Sequence, residues 1–261
     1  GLLFADYMLQ WLEKMKPKVS PTTYRGYKYN IERGICPYFR QKNIFLRNLS
    51  PIDLEQYYAY LQNQGLSANT AIHHHANIHK ALKDAVRLDL VSRNVADLVE
   101  RPVKVNYTPN HYSADEANEL LEKLHGHWLW MPVLLSLFYG LRRSEVLGLQ
   151  WRSIDFTNGT ILIQHARIYQ ETNGQEVSVG RDILKRKSSY RTLPMTKEIK
   201  SAFMSERERQ LRNKQLKPED YVCLTSEGEP ISPNNYSQAF KKFLRDHGLR
   251  EVRLHDLRHT C

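Results

Sequence analysis

From Phe4 to about Leu98, apolar residues recur at the three-and-four spacing of amphipathic helices, and the pattern breaks at Pro17, Ser20-Pro21, Gly34, Ser50-Pro51 and Gly65-Leu66-Ser67. Those breaks predict four helices. Two starts are marked by serine before proline, Ser20-Pro21 and Ser50-Pro51-Ile52-Asp53. Serine satisfies free amides of a first turn, and proline fits its first position. A third start lies near Ser67-Ala68-Asn69-Thr70, and its helix carries Ile72, Ile78, Leu82 and Val86. Residues 1–103 therefore read as a small all-helical domain with its own core.

The stretch 101–112 has two prolines and no usable periodicity, which predicts a linker over 104–112. Ser113-Ala114-Asp115-Glu116 then has the spacing of a capping box and opens a second domain, 113–261. Its next helix, Met131 to Tyr139, is almost wholly apolar and is expected at the buried centre. Between Gly159 and Met195 the period changes to that of strands, 160–163, 176–179 and 190–194, with turns at Thr157-Asn158-Gly159 and Asn173-Gly174. These three predict a small antiparallel sheet. Helical patterns resume over Thr196 to Leu211 and Ser232 to His247, and another begins near His255.

Composition narrows the class. With 261 residues, 41% of them hydrophobic, two modest domains can each bury an ordinary core. The 38 Lys and Arg against 28 Asp and Glu give a formal charge of +10, half of it before residue 104 and half after. An even excess suits a partner that touches both domains, and a long polyanion such as DNA is the simplest. No apolar run reaches the roughly 18 to 20 residues that cross a bilayer. Gly1-Leu2-Leu3-Phe4-Ala5-Asp6 turns polar too soon for a signal peptide. A cytoplasmic protein without membrane contact is expected. The three cysteines, Cys36, Cys223 and Cys261, lack paired metal-ligand spacing and read as reduced thiols.

Arg142, Lys185, His255 and Arg258 are cationic or proton-donating groups with no acidic metal site beside them. Such a set suits phosphoryl transfer without a metal ion or other cofactor. Two guanidinium groups grip the non-bridging oxygens of a phosphodiester, and a lysine or histidine moves the proton of the leaving oxygen or of the nucleophile. His255 and Arg258, three apart, face the same way on a helix. Spacing alone suits helix-capping surface charges equally well.

The stretch Phe138-Tyr139-Gly140-Leu141-Arg142-Arg143-Ser144-Glu145-Val146-Leu147-Gly148-Leu149-Gln150-Trp151 resembles the first signature of the tyrosine recombinase, or phage integrase, family. Lys185-Arg186-Lys187-Ser188-Ser189-Tyr190-Arg191-Thr192-Leu193-Pro194 is similar to the family's β-hairpin lysine segment, and His255-Asp256-Leu257-Arg258-His259-Thr260 to its second signature. Leu66-Ser67-Ala68-Asn69-Thr70 and the stretch 85–94 resemble its core-binding domain. The resemblance implies a mainly α protein: an N-terminal helical core-binding (SAM-like) domain and a mixed α+β catalytic domain with a small three-stranded antiparallel sheet.

Carried over by position, it implies Arg142, Lys185, His255 and Arg258 as catalytic and Glu145 as the acidic residue that orients them from behind. Arg143 is the rival of Arg142, and Lys187 of Lys185; His259 reads as structural. The family also requires a later tyrosine nucleophile, yet the last of the 15 tyrosines is Tyr236, so this chain is expected to be trimmed and to bind DNA without cleaving it. The implied function is integration and excision of a mobile element through a 3′-phosphotyrosyl link. The implied partners are duplex DNA, three further copies in a homo-tetramer, and accessory DNA-bending or excision factors. A non-catalytic DNA-binding regulator of the same fold and a type IB topoisomerase are the rivals.

Thr22, Tyr24, Arg25 and Lys28 are candidates for gripping the DNA backbone, with packing of the tyrosine in the core as the alternative. Asn69, Thr70, His73, His74, Asn77 and Lys80 are candidates for the groove, or else a solvated face. His73-His74-His75 with His79 invites a metal site. Consecutive helical residues point about 100° apart, so the three cannot converge on one ion, and no metal is expected.

Overall fold

The computed structural model describes residues 1–261 other than 101–102, 104–109, 173–174, 183–189, 214 and 260–261, with the backbone alone at 170–172, 175–176 and 259. The chain divides into two compact units, Gly1–Tyr107 and Thr108–Cys261.

In the first unit, α1 (Phe4–Met15) buries Phe4, Tyr7, Met8, Trp11, Leu12 and Met15, a single stripe at helical spacing. The Ser20 hydroxyl accepts from the Thr23 amide and starts α2 (Pro21–Asn30). The chain does not break at Gly34, contrary to the sequence pattern. It passes through a widened π turn, Ile31–Ile35, into α3 (Cys36–Gln41), keeping Ile31, Ile35 and Phe39 buried. Gly34 is there for proximity: a Cβ would lie 2.3 Å from the His74 ring. A reciprocal box between Ser50 and Asp53 starts α4 (Pro51–Asn63), and Ser67 caps α5 (Ala68–Arg87). These four helical stretches enclose one core.

Two histidines of α5 lie in that core. Tyr57 Oη pairs with His74 Nδ1 at 2.7 Å, and Tyr58 Oη with His75 Nδ1 at 2.8 Å. Burial, reinforced by His73, holds the His74 pKa down at about 4.

In the second unit the Ser113–Glu116 box opens α6 (Ala114–Lys123) as its spacing predicts. The apolar α7 (Trp130–Tyr139) buries Met131, Val133, Leu135 and Leu137. After α8 (Arg143–Gly148), β1 (Ile154–Asp155), β2 (Thr160–Ile163) and β5 (Arg191–Pro194) form a three-stranded antiparallel sheet in the order β1-β2-β5. Ile161 stands opposite Ile154 on one side and Leu193 on the other.

The expected strand over 176–179 is not part of that sheet. It belongs to β4 (Gln175–Asp182), which pairs with β3 (His165–Thr172) in a separate hairpin with His165 opposite Asp182. The polar residues His165, Arg167, Gln170 and Glu171 hide β3 from a reading based on apolar alternation. The expected linker also extends too far. Tyr112 is 3% exposed in the second core, and its hydroxyl donates to the Arg250 carbonyl at 2.6 Å. The unit closes with α9 (Lys197–Leu211), α10 (Pro233–Asp246) and a short 3₁₀ helix, Leu254–His259.

Candidate phosphate-binding site

The site grows from the end of α7. Gly140 takes a left-handed conformation, φ 58° and ψ 30°, which a residue without Cβ adopts at little cost and which stops the helix. Leu141 then anchors in the core, and Arg142 takes an extended backbone ahead of α8. One turn on, Glu145 is 3% exposed. Its Oε2 accepts from the Arg142 amide and its Oε1 from Arg142 Nη1, both at 2.9 Å. Arg191 of β5 grips the same carboxylate with both ends of its fork, Nη1 to Oε1 at 3.2 Å and Nη2 to Oε2 at 2.8 Å. Burial pushes the Glu145 carboxyl up, but the hydrogen bonds from Arg191 and Arg142 outweigh it and hold the group below its ordinary value. A buried carboxylate thus stays ionised between two guanidinium groups.

Arg258 arrives from the other end of the unit. Its Nε donates to the Gly140 carbonyl at 2.6 Å, on the turn that presents Arg142. The 3₁₀ helix carrying it is pinned by buried Leu257 and Asp256, the latter hydrogen-bonded to Arg253. Three residues make one turn of such a helix, so exposed His255 projects on the same side as Arg258.

The structure separates Arg142 from its neighbour. Arg143 Nη1 donates to the Pro233 carbonyl at 3.2 Å and to Ser237 Oγ at 2.8 Å, which ties α8 to α10. The Arg142 side chain is 59% exposed and has Glu145 as its hydrogen-bond partner. Lys185 and its rival Lys187 lie outside the described residues, as does the His259 side chain. Arg191 is a member of the site that the sequence reading does not single out. Its signal was strand alternation, which puts it on the same face as Leu193.

In the first unit the DNA candidates divide by helical phase. On α5 Asn69, His73 and Lys80 fall on one polar stripe that continues through Lys83 and Arg87. Thr70 shares a hydroxyl contact with Ser67, and Lys80 Nζ donates to Tyr27 Oη. Exposed Thr22 and half-buried Arg25 and Lys28 lie on α2. Tyr24, His74 and Asn77 are corrections to the sequence reading: they turn inward at 9%, 3% and 4% exposure, and Tyr24 Oη donates to Glu13. Their phase faces the core, which removes them from any groove. His75 pairs with Tyr58 and His79 with Asp97. Among the described residues no three His, Cys, Asp or Glu could hold a metal ion, and no helix is long and apolar enough to cross a membrane.

Residues 111–261, which hold every member of this site, match the Phage integrase family. The chain belongs to that family. Residues 3–62 further match the N-terminal SAM-like domain of phage integrases. Among curated relatives, this phage integrase family member is 26% identical to a tyrosine recombinase XerC-like protein of Caldanaerobacter subterraneus subsp. tengcongensis, over 98% of the chain and 70% of the relative. It is 23% identical to the ICEBs1 integrase of Bacillus subtilis, over 92% and 65%. The chain thus spans about two thirds of the length of these relatives. Among solved structures, the integrase of transposon Tn1549 in complex with transposon right end DNA superposes with a TM-score of 0.82 at 18% identity, over 98% of this chain and 84% of that one. A lambda integrase tetramer bound to a Holliday junction gives 0.72 at 15% identity, over 100% and 72%. At these identities the likeness establishes the fold: a SAM-like helical unit followed by a catalytic-type unit with small antiparallel sheets.

Proposed function

We propose that the chain acts in site-specific DNA recombination, the integration and excision of a mobile element. The observation that carries this reading is that Arg258, from a motif 118 residues away, donates to the Gly140 carbonyl on the turn that leads into Arg142. Arg142 and Arg258 hold the non-bridging oxygens of the scissile phosphate and stabilise the charge of its pentavalent transition state. A tyrosine oxygen attacks phosphorus and forms the 3′-phosphotyrosyl bond as the bond to the 5′ oxygen breaks. His255 and Lys185 handle the protons of the entering and leaving oxygens. The link keeps the bond energy, so the reverse attack by a 5′-hydroxyl needs neither ATP nor a metal ion.

Tyr236, the last tyrosine, is fully buried with its hydroxyl against Ser136, and so is no candidate for the attack. The 261 residues by themselves bind DNA without cutting it in this reading. Duplex DNA is held by Thr22, Arg25 and Lys28 of α2 and by the α5 stripe of Asn69, His73 and Lys80, with Thr70 beside it. The working assembly is a homo-tetramer on bacterial DNA in the cytoplasm, assisted by DNA-bending or excision factors.

The test is covalent trapping on a nicked suicide duplex carrying the element's own end, with this chain and with the same chain continued in its reading frame through the next tyrosine. A protease-sensitive adduct with the continued chain alone supports the reading. Duplex binding by both without an adduct from either favours a non-catalytic DNA-binding regulator.

A further inference from the structure

The sharing of Glu145 by two arginines raises a question of charge. A buried carboxylate one turn from Arg142 would, if left to that arginine alone, draw its guanidinium into a bidentate pair and neutralise it. Such an arginine is poorly placed to hold a phosphate. Arg191 changes both the geometry and the charge. Its fork occupies Oε1 at 3.2 Å and Oε2 at 2.8 Å, and the Arg142 side chain reaches Oε1 alone, through Nη1 at 2.9 Å. Arg142 therefore commits a single side-chain nitrogen to Glu145, on a side chain 59% exposed, whereas that of Arg191 is 32% exposed. One negative charge sits between two positive ones, leaving the three side chains together with a net charge of +1.

We infer that Arg191 is a positioning residue for phosphate binding: it neutralises Glu145 from β5, so that Arg142 is braced by the carboxylate without being consumed by it. The inference rests on the phosphate-binding role proposed for Arg142. Arg191 itself touches no phosphate in this scheme. It acts through Glu145, and its loss is harmful because the carboxylate is then left over.

That logic predicts rescue by a second substitution. The experiment titrates inorganic phosphate into the 261-residue chain at pH 7 and follows the side-chain Nε–H resonances of Arg142 and Arg258, assigned from R142K and R258K. R191A should weaken phosphate binding at Arg142 by about tenfold, as expected when a guanidinium is drawn into a charge-assisted pair. Removing the surplus charge as well, in E145Q/R191A, should return the affinity to within about threefold of the unmutated chain. R191K keeps the charge but not the fork, so it should fold even if R191A does not, and should fall between the two. If the double variant is folded and binds no better than R191A, or if R191A and R191K both bind as the unmutated chain does, the inference is overturned. Failure of the unmutated chain to bind phosphate at Arg142 and Arg258 is a separate result, which removes the phosphate-binding role and this inference with it.

Discussion

At the scale of single residues, the protein uses ionisable groups in two opposite ways. Glu145 is buried yet held ionised by arginines, whereas His74 is buried and held neutral by the apolar core around it. Each makes stability depend on pH, with the same sign. His74 has a folded pKa of about 4 against an ordinary 6.5, so its contribution is complete above 6.5 and falls away as the pH drops towards 4. The loss over that window should be about 3 kcal/mol, read by urea unfolding at a series of pH values. His74→Gln should flatten that part of the profile, and an unchanged slope would show that other groups set it. Glu145 has a depressed folded value, so its contribution is present above the ordinary carboxylate range and is lost as the pH falls through the folded value. Arg258→Ala should leave affinity for duplex DNA within about tenfold, because one phosphate contact of many is lost. In a longer version that forms the covalent adduct, the same change should abolish adduct formation; undiminished cleavage would take Arg258 out of the mechanism.

At the scale of elements, close approaches decide where glycine stands. Gly34 lets the π turn pass over the His74 ring, and a Cβ there would be 2.3 Å from Cε1 of a side chain already fixed by Tyr57. Gly34→Ala should cost about 1–3 kcal/mol, seen as a lowered denaturation midpoint. Gly148 ends α8 against the backbone of Ala166 in β3, with an added Cβ 2.5 Å from the Ala166 Cα. Backbone yields less readily than a side chain, so Gly148→Ala should destabilise the second unit and displace the hairpin. Gly140 bears on the proposed phosphate site as well. Replacing it with alanine costs about 1–2 kcal/mol for the left-handed backbone. The replacement should also weaken phosphate binding beyond that cost, since the turn orients both Arg142 and the carbonyl that receives Arg258.

Across the whole molecule, the net charge of +10 is the property that bears most directly on the proposed binding of DNA. The basic stripe on α5 and the arginine cluster of the second unit are separate positive features, each with its own scaffold. If together they neutralise six to ten phosphates, raising salt from about 50 to 200 mM should weaken duplex binding by a factor of about 10³–10⁵, measured by fluorescence anisotropy. A flat response would sink the DNA-binding reading.

Local chemistry made much of this legible in the sequence. Serine caps at residues 20, 50, 67 and 113 marked four helix starts, because capping is a transaction between neighbours a few residues apart. The apolar α7 announced a core. Helical phase was also present in principle, but the polar names of Tyr24, His74 and Asn77 concealed it; all three face inward, Tyr24 bonded to Glu13 and His74 to Tyr57. Three features had no local signature. Pairing of β3 with β4 rather than with the three-stranded sheet depends on which backbone edge each strand meets. Arg191 became a partner of Glu145 only when β5 came to lie beside α8, 46 residues away in sequence. Arg258 reached the Gly140 carbonyl across 118 residues. The sequence by itself determined which residues cap, turn and carry charge; the tertiary structure alone decided which charges share a carboxylate, because electrostatic pairing depends on distance in space and not along the chain.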